Sequence, residues 1–549
     1  MVTASVTFTA RLSPSLLSKL KDQSARHAFL CICISISVIL IGAAFRLSQY
    51  VANRSLSRDE AALALNIIHR SFVGLTQPLD YNQGAPLGFL FVQKLLTVLF
   101  GNRDYVLRIF PFICGLSSIW VMYELAKRLL VERVAVFAAV LLFAVSDRLI
   151  YYASEAKQYS SDVLICLVLL LAIVCCLDRN LSRRDCALLA VLGAAATWVS
   201  HPALFILAGT GCALSAHFIW RRNWRSILLI GCVAGFWLVN FIVLYFVALR
   251  ELSANDALLA SWNGHRSFMP LPPWQEWQWF VDTFRGVLND PIGLARSSAI
   301  FLTSAIFLGI GVISLFLRRW QLGLMLLLPI LLTLIASALH KYPFANRLLL
   351  FIVPIVLLMV AEAVGRIYSL FVILRLPQMG LPLALMVLTP LAYRPSYEAW
   401  RHLRAPRFVE EIKPMMAYLS AHRRENDAVY INYDAAPAYL YYSAFYELAN
   451  VSFVQGSNRQ SSNNYFRELS SMRGRSRVWI LLSHVWQYGN GVTEDTLILE
   501  YLDQIGKRLD QLSAPGSQQL YLYDLSLAAS VQGFIGPPQD DVGPIRFGQ

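Results

Sequence analysis

Long apolar runs alternate with short polar stretches over the first 395 residues of the chain. Eleven of these runs approach the roughly 20 residues that a helix needs to cross the hydrocarbon core of a membrane. The predicted spans are residues 28–48, 105–128, 132–150, 160–178, 186–200, 202–220, 226–249, 297–317, 321–339, 347–369 and 379–395. The pattern therefore predicts a mainly α-helical, polytopic bundle of about 11 transmembrane helices.

One further apolar stretch, from Ala85 to Phe100, does not fit this set. It is short for a span, begins beside Pro86 and carries Gln93 and Lys94 in its middle. A crossing here would also reverse the orientation of every later connection. We therefore predict a juxtamembrane helix in the first outer loop, with a re-entrant segment as the alternative.

Basic residues fall in every second connection between the predicted spans. They lie within residues 127–133, 179–184, 221–225, 318–319 and 366–375. By the positive-inside rule these connections and the N-terminal residues 1–27 are cytoplasmic, and the remaining connections lie outside.

The pattern changes after residue 395, where short helical and strand patterns alternate. Strands are predicted at 428–433, 477–483 and 519–524, and helices at 407–422, 437–446 and 494–508. We expect three parts: a cytoplasmic N-terminus (1–27), a transmembrane domain (28–395) and an extracytoplasmic α/β domain (396–549).

Composition supports the membrane class. Of the 549 residues, 57% are hydrophobic and 15% are charged, which excludes an ordinary soluble globular protein. The net charge of +13 is explained by the ends of the spans, so we predict contact with membrane lipids and no nucleic-acid partner. The nine cysteines border or lie within apolar runs and indicate neither a disulfide framework nor a metal site.

Acidic and basic side chains recur in three connections that are predicted to lie outside. They are Arg58, Asp59 and Glu60; Glu155, Lys157 and Tyr159; and His340, Lys341, Tyr342 and Arg347. Each group alone is also explained by solvated loop charges or by residues that anchor a protein at the membrane interface. Their recurrence at one depth favours a shared site.

Such a set of side chains fits the transfer of a sugar from a lipid phosphate to an alcohol. A carboxylate can accept the proton of the attacking hydroxyl, and Lys or Arg can stabilise the departing phosphate. A transporter or lipid flippase is the main alternative, but it would favour ionisable residues at mid-span and an internal repeat. A third alternative is an inactive scaffold whose outer domain binds glycans.

The order and spacing of several short motifs resemble the GT-C superfamily of membrane glycosyltransferases. These motifs are Arg58-Asp59-Glu60, Ala85-Pro86-Leu87-Gly88, Arg108-x-x-Pro111, Tyr151 to Tyr159, and Lys341 to Arg347. The resemblance is to the branch containing protein O-mannosyltransferases, aminoarabinose transferases of lipid A and galacturonosyltransferases of lipopolysaccharide core.

The resemblance implies roles for individual residues. Asp59 would be the catalytic base, with Glu60 and Glu155 as further catalytic carboxylates that shape the substrate pockets. The donor phosphate would be bound by Lys341, Arg347 and Lys157, and the substrate pocket would include Arg58, Tyr159, His340 and Tyr342. We assign no metal ligands and no cofactor, and a divalent metal stays open.

The same resemblance implies a reaction and a location. The donor would be a polyprenyl-phosphate sugar, and the acceptor an envelope glycolipid, polysaccharide or protein. Transfer would invert the anomeric configuration at the outer face of a bacterial cytoplasmic (inner) membrane.

Overall fold

The computed structural model describes residues 14–177, 179–457, 462–485, 487 and 491–526. Helices dominate this part of the chain. They are α1 Pro14–Val51, α2 Arg58–His69, α3 Leu87–Phe100, α4 Asp104–Leu129, α5 Arg133–Val145, α6 Asp147–Tyr152, α7 Tyr159–Leu177, α8 Arg183–Val199, α9 Ala203–Trp220, α10 Trp224–Leu244, α11 Arg250–Ser253, α12 Asp256–Gly264, α13 Trp277–Asn289, α14 Ser298–Ala338, α15 Val353–Ile373, α16 Pro377–Arg404, α17 Lys413–His422, α18 Ala436–Ser443, α19 Ser462–Ser470 and α20 Glu494–Ile505.

The apolar helices form the predicted membrane bundle. Seven helical segments of the described chain are long and apolar enough to cross a membrane, and these are Cys33–Val51, Asp104–Leu129, Tyr159–Leu177, Ala203–Trp220, Trp224–Ser253, Ser298–Ala338 and Asn346–Ile373. The mainly α-helical, multi-pass class is confirmed, whereas the expected number of 11 spans is not.

Helix α14 explains part of the difference in number. A straight helix of its 41 residues would be about 62 Å long, roughly twice the thickness of the hydrocarbon core. The backbone at Arg319 is not helical, and Gly323 lies against the ring of Phe316. The chain therefore turns sharply at the point where the sequence separates two predicted spans.

The two ends of the bundle have different polar contacts. At one end, α1 meets the start of α4, where Tyr105 donates a hydrogen bond to the carbonyl of Val51 (2.9 Å). We call this the site end. At the other, basic end, Arg318 donates to the carbonyl of Leu129 (2.6 Å), and Ser369 donates to Glu132 (2.8 Å).

Helix α3 corresponds to the apolar stretch that was excluded from the spans. Its 14 residues extend about 21 Å, too short to cross the hydrocarbon core. The buried amide of Gln93 donates to the carbonyl of Leu107 (2.8 Å), and Lys94 donates to the carbonyl of Ile68 (3.0 Å). These contacts fix α3 against α2 and the start of α4 at the site end.

The C-terminal region contains one five-stranded sheet. Its strands are β1 Ala428–Ile431, β2 Phe453–Gln455, β3 Val478–Leu482, β4 Lys507–Ala514 and β5 Gln518–Asp524. They lie in the order β2-β1-β3-β5-β4, with β1 parallel to β2 and β3, and β5 antiparallel to β3 and β4. Strand β3 is fully buried, which explains its continuous apolar sequence.

The sequence pattern did not predict every element of this region. Strand β2 has only three residues, and β4 alternates half-buried with exposed side chains. Helix α16 continues to Arg404, through the predicted boundary at 395/396. The division into three domains stays a prediction, and its residues 1–13 and 527–549 lie outside the described part of the chain.

Candidate functional site

The loop between α1 and α2 is held by the C-terminal region. Both the backbone N–H and the hydroxyl of Ser55 donate to the carboxylate of Glu411, at 2.9 and 3.0 Å. The next N–H, of Leu56, donates to the hydroxyl of Tyr442 (2.7 Å). Because a buried backbone N–H needs a partner, these contacts fix the loop that leads into the Arg58-Asp59-Glu60 motif.

The motif itself forms the first turn of α2. Ser57 caps the helix and exchanges hydrogen bonds with Glu60 in a capping box. The N–H of Arg58 donates to Glu410 (2.7 Å), and its guanidinium pairs with the buried Asp434 at 2.5 Å. Arg58 therefore ties the first turn of α2 to the C-terminal region.

Glu60 lies in a fully enclosed ion pair. Arg108 donates to both of its carboxylate oxygens at 2.9 to 3.0 Å, and the N–H of Ala156 donates at 2.8 Å. Burial favours the neutral acid, but the charges of Arg108 and Arg54 outweigh it and hold the pKa of Glu60 below its ordinary value. The carboxylate is ionised, and its oxygens are already occupied.

Asp59 points away from that pair and contacts Arg347. The guanidinium of Arg347 forms a short salt bridge to Asp59, and Arg58 lies 3.5 Å from the other oxygen. Burial raises the pKa of Asp59, but Arg347, Lys157 and Arg58 lower it more strongly, so the carboxyl is ionised well below its ordinary pKa. The side chain keeps 20% exposure, so a ligand can reach it.

Glu155 is buried beside these two acids but is bonded differently. In the part of the chain that the structure describes, no group donates a hydrogen bond to its carboxylate or forms an ion pair with it. Burial and the negative charge of Glu60 raise the pKa of Glu155 to about 7, against the opposing charges of Arg347, Arg54 and Lys157. Glu155 can therefore gain or lose a proton near neutral pH.

Two cationic side chains complete the cluster. Lys157 is buried and donates to the amide oxygen of Gln83 at 2.5 Å. Burial lowers the pKa of Lys157 to about 8, although Asp59 favours its charged form. The guanidinium of Arg347 lies 5.8 Å from the ring centre of Tyr159, so these residues lie around one space.

Three of the sequence-predicted residues lie apart from this cluster. The ring of His340 packs against Phe268 with centroids 4.8 Å apart, and Lys341 is exposed. The hydroxyl of Tyr342 donates to the carbonyl of Leu348 at 2.9 Å. No contact links these three side chains to the described carboxylates of the cluster, so their assigned roles stay predictions.

The structure adds residues to the site to which the sequence analysis had assigned no role. Arg108 holds Glu60 and also donates to the carbonyl of Arg54 at 2.6 Å. Gln83 holds Lys157, and Arg54 donates to Ser154 at 2.8 Å. Arg108 could have been identified from the sequence, because an arginine within an apolar span needs a buried partner for its charge. No comparable signal marked Gln83.

The donor set does not resemble a metal centre. Among the described residues, no three His, Cys, Asp or Glu side chains are grouped as a metal site requires. Asp59 and Glu60 face different arginines, so they do not converge on one point. We assign no step to a metal.

One stretch of the chain matches the model of a known protein family. Residues 84–246 match the model of the dolichyl-phosphate-mannose-protein mannosyltransferase family. This stretch includes α3 and the loop that carries Glu155 and Lys157. A search of curated proteins finds no match.

The whole chain also resembles solved structures. ArnT from Cupriavidus metallidurans in the apo state matches with a TM-score of 0.51 at 12% identity, over 94% of this chain and 100% of ArnT. The same protein bound to undecaprenyl phosphate has a TM-score of 0.49 at 13% identity, over 92% and 99% of the two chains. The apo oligosaccharyltransferase of Archaeoglobus fulgidus has 0.47 at 13% identity, over 82% and 69%.

The apo ArnT structure and the family model both represent GT-C glycosyltransferases. The chain therefore has the ArnT-like, GT-C fold that its sequence motifs predicted.

Proposed function

We propose that this GT-C protein is a glycosyltransferase that moves a sugar from a polyprenyl-phosphate donor to a hydroxyl of an envelope glycolipid, polysaccharide or protein. The single observation that carries the proposal is the unpaired, buried carboxyl of Glu155 beside two ionised carboxylates and two cations. The match to a mannosyltransferase family model and the undecaprenyl phosphate bound to ArnT support a lipid-phosphate donor.

The reaction forms one bond and breaks another. The acceptor oxygen bonds to the anomeric carbon, the bond from that carbon to the phosphate oxygen breaks, and polyprenyl phosphate leaves. One proton must pass from the attacking hydroxyl to a base, and one negative charge appears on the phosphate. Attack on the face opposite the phosphate would invert the anomeric configuration.

We infer that Glu155 is the proton acceptor. A general base works best when its pKa is near the working pH, and the pKa of Glu155 is about 7. Asp59 is the base implied by family resemblance, but its salt bridge to Arg347 makes its carboxylate a weak base. In this scheme, Asp59 holds Arg347 in place, and Glu60 holds the Ala156 N–H beside Glu155.

The leaving phosphate has two cationic partners in this cluster. The side chain of Arg347 is 32% exposed and pairs with Asp59, and the positive charge of Lys157 also acts on Asp59. A phosphate binding there would receive charge-assisted hydrogen bonds from both side chains. Charge stabilisation of this kind lowers the barrier for departure of an anion.

Transport is a weaker explanation of the same fold. The acid within a predicted span that a transporter could use is Glu362, but it accepts hydrogen bonds from Ser314 (2.7 Å) and Arg366 (3.0 Å) at the basic end of the bundle. A carboxylate held in this way is a structural partner of nearby arginines.

The charge distribution supports an orientation in the membrane. Arg318 and Arg366 lie at the basic end, which we propose faces the cytoplasm of a bacterial cell. The site end and the C-terminal region from residue 396 would then face outward. Residues 28–395 would form the transmembrane domain, with residues 1–27 in the cytoplasm.

A gene-replacement experiment tests the activity. Cells without the gene should lack one sugar modification that mass spectrometry detects on envelope glycolipids or glycoproteins, and the wild-type gene should restore it. The Glu155→Gln variant should not restore it, whereas Glu276→Gln, in an exposed ion pair away from the cluster, should. Full restoration by Glu155→Gln would contradict the assigned base, and an unchanged envelope without the gene would contradict the transferase.

A further inference from the structure

A polar cavity is lined by the start of α6, the helix that precedes the loop carrying Glu155. Its volume is about 450 Å³, within the range typical of small-molecule sites. We call it the arginine cavity, and the charged residues that line it are Asp147, Arg148, Asp290, Arg296, Arg394 and Arg407. These residues come from α6, from the segment between α13 and α14, from α16 and from the segment that follows α16.

Two of the four arginines are neutralised within the cavity wall. Arg407 donates to Asp147 at 2.6 Å, and Arg148 forms a short ion pair with Asp290. These carboxylates fix the direction of the two guanidinium groups, but each leaves further N–H donors on its arginine.

The other two arginines share one carboxylate. Arg394 lies 3.3 Å and Arg296 lies 3.8 Å from the same oxygen of Glu398. The second oxygen of Glu398 is occupied by Arg401 at 2.7 Å. One buried negative charge therefore faces three guanidinium groups, and the excess positive charge lies on Arg296 and Arg394, which are 38% and 54% exposed.

Helix α6 forms a wall between this cavity and the carboxylate cluster. Asp147 and Arg148 at its start face the arginine cavity. At its end, the ring of Tyr151 lies between two guanidinium groups, Arg407 at 5.1 Å and Arg54 at 4.1 Å. Arg407 lines the cavity, and Arg54, on the same Tyr151 ring, donates to Ser154, the residue before Glu155, so the cavity is connected to the loop that carries Glu155.

We propose that the arginine cavity binds a phosphate or carboxylate group of the acceptor and thereby directs the acceptor hydroxyl toward Glu155. The inference rests on the proposed transferase function and adds the chemical class of its acceptor, an anionic glycan. Arg296 and Arg394 supply the unshared charge, and Arg148 and Arg407 supply oriented N–H donors. A neutral acceptor would leave this charge unpaired and would bind less tightly.

Calorimetric titration of the full chain in a neutral detergent tests the site. The probes are glucose 6-phosphate, glucose and inorganic phosphate, with saturating farnesyl phosphate present to occupy the proposed donor site. We expect glucose 6-phosphate to bind more tightly than inorganic phosphate, with affinity that falls as salt increases, and glucose not to bind.

Substitutions connect that binding to the cavity. The double variant Arg296→Gln/Arg394→Gln should weaken glucose 6-phosphate binding by about tenfold or more, because two charge-assisted contacts are lost. The double variant Arg296→Lys/Arg394→Lys should retain most of the affinity. That result would show that substitution at these two positions leaves the fold intact. Arg285→Gln, an exposed residue of α13 outside the cavity lining, is the matched control and should bind like the wild type.

Three results would overturn the proposal. They are an unchanged affinity in the glutamine double variant, equal binding of glucose, and equal binding of inorganic phosphate, which would indicate a site for free anions only. A failure of farnesyl phosphate to bind would contradict the proposed donor site instead, because that ligand does not depend on the arginine cavity.

Discussion

Arg108, on α4, donates to both carboxylate oxygens of Glu60, on α2, and the pair is almost completely buried. This pair joins α2, which follows the loop after α1, to helix α4 of the membrane bundle. The N–H of Ala156 uses the same carboxylate, so the loop that carries Glu155 is attached to this pair as well.

Removing one charge of this pair should destabilise the protein. Glu60→Gln removes the carboxylate that contacts the buried guanidinium of Arg108, and the free energy of unfolding should fall by about 3 kcal/mol or more. Denaturant or thermal unfolding in detergent measures the change. Glu276→Gln, in the exposed pair with Arg266, is the control and should change stability by less than about 1 kcal/mol. Equal effects of the two variants would contradict a structural role for Glu60.

The raised pKa of Glu155 predicts how activity depends on pH. The base must be deprotonated to accept the acceptor proton, so kcat/KM should rise as pH increases through about 7. The measurement is the rate of polyprenyl-phosphate release with the native donor and acceptor. If Asp59 were the base instead, activity would already be level at pH 6, since its pKa is below the ordinary value.

The same group predicts how stability depends on pH. The pKa of Glu155 is about 7 in the folded chain and close to its ordinary value of 4.5 when unfolded. Between these values the folded state binds the additional proton, so this group makes the free energy of unfolding fall as pH rises from about 4.5 to about 7. Glu155→Gln should remove that contribution, and an identical pH profile in the variant would contradict the burial of an unpaired carboxyl.

The contact between Gln83 and Lys157 predicts a binding defect. Gln83→Leu removes the acceptor of the Lys157 ammonium, which should misplace this cation and raise KM for the donor severalfold. Gln77→Leu, on the same loop, is the control. The measurement is donor-dependent initial rate, and a fall in kcat with unchanged KM would place Lys157 outside donor binding.

The link between Tyr442 and the first loop predicts an effect of the C-terminal region on catalysis. The Tyr442 hydroxyl accepts from the N–H of Leu56 and donates to Asp104 at 2.8 Å. Tyr442→Phe leaves both groups buried without that partner, so kcat should fall by about tenfold or more. Tyr446→Phe, a partly buried neighbour in the same ring cluster, should have little effect. Similar rates in both variants would show that the Tyr442 hydroxyl does not hold the loop between α1 and α2 in its catalytic position.

The membrane fold and much of the site could be predicted from local sequence. The length of the apolar runs identified the bundle. Asp59, Glu155, Lys157 and Arg347 were selected because ionisable side chains that recur next to membrane spans indicate a functional site. The turn at Arg319 within α14 lies where hydropathy separates the predicted spans 297–317 and 321–339.

The state of each carboxylate could not be predicted in this way. Asp59 and Glu60 are adjacent in sequence, but they face different arginines because successive helix positions point about 100° apart. The partner of Glu60 lies 48 residues away, and the amide that holds Lys157 lies 74 residues away. Only the folded contacts determine which acid is free to titrate.

The attachment of the first loop to the C-terminal region also fixes an order of assembly. The loop bonds of Ser55 and Leu56 reach partners 356 and 386 residues later in the chain. During synthesis, the bundle helices can therefore insert before the partners of Ser55, Leu56 and Arg58 in the C-terminal region have been made. A nascent or truncated chain would have a membrane anchor and an open loop, and the catalytic arrangement would form only when the last part of the protein arrives.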